Sequence, residues 1–140
     1  MFGNSTSAAR AYANVSLQTG ALAASPHKLI SMLLEGAMIA ILKARQHMAT
    51  GNVTEKGTAI NHAATIIETG LRGALNIKDG GEIATNLSAL YAYMTQRLTA
   101  AHLENDPTKL QEVYKLLADL KTTWDSIDPQ AAKRAAALEA

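Results

Sequence analysis

Cysteine is absent from the 140 residues, which excludes disulfide staples and thiolate metal sites and suits a reducing compartment. Aromatic residues make up only 4% of the chain, too few for the stacking platforms that bind single-stranded nucleic acid. Neither sign of charge dominates: 13 Lys+Arg stand against 12 Asp+Glu, a formal net charge of +1. That balance gives no electrostatic drive toward nucleic acid or an anionic membrane. The longest uninterrupted apolar run, Ala37 to Leu42, falls far short of the roughly 20 residues a membrane span needs. No charged segment followed by an apolar stretch opens the chain, so no signal peptide is expected. The chain reads as a cytoplasmic protein that inserts in no membrane. Proline is scarce as well: Pro26, Pro107 and Pro129 are all there are, and none interrupts a long periodic segment.

What is present favours helix. Alanine is about a fifth of the sequence, accompanied by Leu, Lys, Glu, Gln and Met, all good helix formers. A first segment opens at Ser25-Pro26, a natural N-cap followed by a first-turn proline. Its stripe runs through Ile30, Leu33, Leu34, Ala37, Ile41, Ala44 and Met48 and stops at Thr50-Gly51-Asn52. A second spans Thr54 to Asn76 with Ile60, Ala63, Ala64, Ile67, Leu71, Ala74 and Leu75 on one face, weakened by Gly57, Gly70 and Gly73. A third is expected from Asp79, capped by a box formed with Glu82, with Ile83, Leu87, Leu90, Met94, Leu98 and Ala101 along its seam. A fourth starts at Asp106-Pro107 and carries Leu110, Val113, Leu117, Leu120, Trp124 and Ile127. Four amphipathic helices joined by short loops predict an all-α fold, an antiparallel up-down four-helix bundle. Residues 1–24 read as an N-terminal segment covering a hydrophobic groove, 25–128 as the bundle, and 129–140 as an Ala-rich tail.

Catalytic patterns are missing. His27, His47, His62 and His102 never fall three or four residues apart, no Glu-x-x-His occurs, and no Gly-x-Ser-x-Gly elbow is present. No metal site, cofactor or enzymatic activity is expected. The glycine clusters fit neither phosphate-binding fingerprint, and the basic residues form no stripe for nucleic acid.

One feature of the first helix stands out. On a wheel of about 100° per residue, the seam lies within about 60° of Ile30, while Leu29, Met32, Gly36 and Ile39 form a second apolar stripe beyond it. The combined arc, near 220°, is about twice what one buried face requires. Its cover is either permanent, from the N-terminal segment or a second protomer, or a helix supplied by a partner. Met32 would give that partner adaptable contacts and Gly36 a close approach. On the third helix Tyr91 and Tyr93 are expected to project to opposite sides of the seam, toward the neighbouring grooves. Arg97, close to that seam, needs an acidic or carbonyl partner and reads as a bridge between helices.

Several motifs in order resemble the flagellar secretion chaperone family, FliS. They are Ala11-Tyr12 with Val15; Ser25-Pro26 and the run from Leu29 to Ala37; Ile66-Ile67 with Leu71; Gly81-Glu82-Ile83 with Asn86-Leu87; Leu90-Tyr91 with Tyr93-Met94 and Arg97-Leu98; Ala101, Leu103 and Asn105-Asp106; and Glu112-Val113, Leu116-Leu117 and Trp124. The resemblance covers about Tyr12 to Ile127. Leu34 stands where family members commonly carry an aromatic, and Glu35 where they carry Asp. The resemblance implies a bundle that holds the C-terminal segment of flagellin in the cytoplasm, keeps it from premature assembly and helps deliver it to the membrane export gate. It also implies that the segment with Tyr12 lies over part of the client groove. The client contacts expected from helix wheel and resemblance together are Tyr12, Val15, Leu29, Met32, Leu33, Gly36, Ile39, Tyr91 and Tyr93. Ser25, Asp79, Glu82, Arg97, Asp106 and Trp124 are expected to be structural. Two alternatives stand beside this: an adaptor for another helical protein such as an anti-sigma factor, and a helical homodimer whose interface is the extra stripe.

Overall fold

The computed structural model describes residues 25–127. Tyr12, Val15, the expected N-terminal cover and the C-terminal tail lie outside the described residues. Helix α1 spans Pro26–Thr50, and the Ser25 hydroxyl accepts from Lys28 N at 3.1 Å as its cap. It ends where Gly51 adopts the left-handed conformation (φ 74°), a geometry with little steric cost only for glycine, which lets the Asn52 N–H reach His47 O at 2.9 Å. Helix α2, Val53–Thr65, runs directly into a π-helical segment, Ile66–Arg72. Helix α3 spans Ile77–Glu104, and Asn105 in the left-handed region (φ 54°) closes it. Helix α4, Pro107–Ser126, is capped by the Asp106 carboxylate, which accepts from Thr108 N at 2.9 Å.

Each helix packs on its sequence neighbours, and α4 closes the ring against α1. Bonds at the helix ends fix the directions as antiparallel. The Trp124 indole N–H near the end of α4 donates to His27 O at the start of α1 (2.8 Å), and the two rings stack with centroids 4.4 Å apart. Arg45 late in α1 reaches Gln111 early in α4 at 2.5 Å. Lys56 at the start of α2 donates to His102 O and Asn105 Oδ1 at the end of α3, at 3.2 and 3.0 Å. The described residues thus form an all-α antiparallel four-helix bundle.

The core gathers Leu33, Leu34, Ala37, Ile41 and Ala44 from α1, Ile60, Ala63, Ile67 and Leu71 from α2 and the π segment, Tyr91, Met94, Leu98 and Ala101 from α3, and Leu110, Val113 and Leu117 from α4. At the expected start of the third helix the structure differs. The cap is Asn76, whose side chain accepts from Asp79 N at 3.1 Å, and the Asp79 carboxylate accepts in turn from Asn76 Nδ2 at 2.9 Å. Asp79 and Glu82 form no capping box, because Gly81 (φ 58°, ψ −134°) breaks the helical path between them. The seam of α3 differs at its start, where Ile83 is 74% exposed and Ala84 is buried; Leu87, Leu90, Met94, Leu98 and Ala101 pack as expected, with Tyr91 buried beside them. Ile127, expected on the α4 seam, is exposed beyond the last turn.

Candidate functional site

The stripe that α1 does not use for the core faces α2. A groove of about 550 Å³ runs between them, with Met32, Gly36, Ile39, Ala40 and Ala59 as its apolar surface and Glu35, Lys43, His47, Thr54, Glu55, Thr58 and His62 around them. Ile39 is 47% exposed, although a β-branched apolar side chain this large is usually inside. Met32 is half-buried at the same wall, and Leu29 is half-buried one turn earlier. Gly36 faces Ile66: a Cβ built on it would meet Ile66 Cδ1 at 3.6 Å, an ordinary packing distance. Glu35, Lys43, Glu55 and His62 make no hydrogen bond or ion pair with another described residue.

The other expected contacts sit elsewhere. Leu33 is fully buried; at the edge of the α1 seam, its side chain fills the core and presents nothing to a groove. Tyr91 is 5% exposed, and burial pushes its hydroxyl up to about 12, since an ionised phenolate would lose its water there. It projects into the core rather than to one side of the seam. Tyr93 is exposed at 40% on the α3–α4 edge, where its hydroxyl donates to Glu112 Oε2. Arg97 Nε donates to the other oxygen of Glu112 at 2.6 Å and its guanidinium lies 5.9 Å from the Tyr93 ring centroid. The Tyr93 hydroxyl, and after it Arg97, hold the Glu112 carboxyl below its ordinary range, against an opposing effect of partial burial.

A similar polar clasp sits one turn away. Lys109 pairs with Glu104 (2.5 Å) and Asp106 (3.1 Å). The Thr108 hydroxyl first, and Lys109 next, lower the Asp106 carboxyl to about 2. Lys56, 6% exposed, makes no ion pair with a carboxylate among the described residues; its Nζ donates to carbonyl and amide oxygens at the end of α3. Sequence alone offered no signal for it, since those partners are 46 and 49 residues away.

Among the described residues no group of three side chains is placed to hold a metal ion, and no helix is long and apolar enough to cross a membrane. The arrangement is one for binding an apolar surface, with polar groups available at the rim to orient it.

Comparison with known proteins gives the same direction. Residues 8–131 match the family described as Flagellar protein FliS. The flagellar secretion chaperone FliS of Salmonella typhimurium is 46% identical over 122 residues, 87% of this chain and 90% of that protein. The Vibrio cholerae protein of the same name is 39% identical over 121 residues, covering 86% and 88%. The flagellar secretion chaperone FliSB of Pseudomonas aeruginosa is 42% identical over 120 residues, covering 86% and 94%.

Proposed function

The chain belongs to the FliS family of flagellar proteins, and from that premise we propose that it is a cytoplasmic flagellar secretion chaperone whose α1–α2 groove binds the C-terminal segment of flagellin. The observation that carries this reading is the groove itself: Met32, Gly36 and Ile39 make an apolar wall that the described part of the chain leaves unfilled. A free flagellin terminus built to pack against copies of itself exposes apolar surface before assembly, and such surface invites aggregation. Covering it in the bundle groove holds it apart from other copies until it is handed to the export gate.

A client that orders on binding loses several kcal/mol to that ordering. Burying on the order of 1,000 Å² of apolar surface at about 25 cal/mol/Å² returns a gross 25 kcal/mol, most of it consumed by ordering and association. A long apolar groove suits this balance, and a small polar pocket would not. The chaperone acts by occupancy, one bundle per client, with no turnover chemistry and no cofactor.

Titration calorimetry with a peptide from a flagellin C-terminus tests the reading. One-to-one binding with a negative heat-capacity change is expected, lost in Met32→Asp and weakened in Leu29→Asp while both variants keep their helical circular dichroism. Wild-type affinity in Met32→Asp would refute the groove assignment.

A further inference from the structure

The π segment Ile66–Arg72 continues α2 directly, beginning four residues after His62 of the groove lining. Its widened register is explicit in the backbone, where the Gly73 N–H donates to Glu68 O at 3.1 Å, five residues back. The exit admits only glycine without a shift, since a Cβ on Gly73 would lie 2.3 Å from Thr69 O. Side-chain bonds hold the segment on both sides: the Thr69 hydroxyl donates to Thr65 O at 2.6 Å, and Arg72 donates to Ser88 on α3 at 2.9 Å and pairs with Glu68 at 3.1 Å. Local π geometry is rare because α-helix is the better-bonded alternative, and where it occurs it frequently lies at a functional site. Here the stripe Ile60, Ala63, Ile67, Leu71 would suit an uninterrupted α-helix, so the local pattern does not require the π turn.

The first residue of the segment lies against Gly36 of the groove wall. Ile66 is 8% exposed, and its Cδ1 lies near Gly36, where a Cβ would meet it at 3.6 Å. We infer that the π segment is a positioning element of the client groove: its widened turn seats Ile66 against Gly36 of the groove wall, in place of a more stable α-helical turn that would seat it differently. The inference rests on the reading of this groove as the flagellin site.

Three chains are compared, wild type, a deletion of Thr69 that returns the segment to α-helical register, and Ile66→Ala, each measured by thermal unfolding and by calorimetry with the flagellin C-terminal peptide. The deletion is expected to raise the melting temperature by about 2–4 °C and to weaken peptide binding at least about tenfold. A residue with a merely structural role would not move the two in opposite directions. Ile66→Ala is expected to weaken binding similarly while lowering the melting temperature. A deletion variant that melts lower than wild type, or wild-type binding that both variants retain, overturns this inference alone. A wild-type chain that binds no peptide overturns the client reading and this inference together.

Discussion

The α3–α4 and α1–α2 edges of the bundle close in different ways. Along α3–α4, Tyr93 and Arg97 both engage Glu112, and Lys109 engages Glu104 and Asp106. Polar side chains tie that edge together from within the chain. Along α1–α2, Glu35, Lys43, Glu55 and His62 at the rim make no hydrogen bond or ion pair with another described residue, and Met32, Gly36 and Ile39 lie between them. Exposed ion pairs add little to stability; their effect on the α3–α4 edge is to satisfy and occupy it. The contrast separates an edge closed by the chain's own polar side chains from one with an open apolar wall, and Tyr93 lies on the closed edge, outside the α1–α2 groove lining.

The largest expected effect comes from crossing from the groove wall to the core one residue away. Leu33→Ala should cost about 2–5 kcal/mol of unfolding free energy, read by urea denaturation, because the deleted side chain is fully buried. Ile39→Asp should leave the denaturation midpoint within about 0.5 kcal/mol of wild type, yet reduce affinity for the flagellin peptide at least about thirtyfold. If the two substitutions behaved alike, the division between core and client face within α1 would be lost.

On the closed edge, Glu112→Gln should lower the melting temperature slightly at pH 7 and leave peptide affinity unchanged. Glu112 titrates below its ordinary range in the folded state. Its contribution is therefore present above the unfolded carboxylate pKa and fades as pH falls through the lower folded value. The gap between Glu112→Gln and wild type should close in acid, as a pH series of thermal melts would reveal. An effect of the same sign is expected for Asp106→Ala, whose cap and Lys109 contact are complete above about pH 4 and fade toward the folded value of about 2. A deficit that grew in acid would reverse the assigned sign.

Much of this division was legible in the sequence where the signal is local. Ser25-Pro26 and Asp106-Pro107 mark helix starts because a cap and a proline act within one turn, and the surplus on α1 is a property of one helix wheel. What a single wheel cannot specify is the neighbour each face meets. Tyr91 fits either a border or the core of α3 by spacing, and the packing of the neighbouring helices puts it inside. The Asn76 cap was masked by a glycine pair and an acidic residue that imitate a capping box three residues later. The π turn leaves no mark on hydrophobic periodicity, since Ile67 and Leu71 are spaced as an α-helix would have them.

The most direct test places a photo-crosslinking phenylalanine analogue at Ile39 in one chain and at Tyr93 in another, then adds the flagellin C-terminal peptide and irradiates. Covalent capture of the peptide from position 39 with little or none from position 93 is the predicted result. Capture from position 93 with none from position 39 would contradict the account.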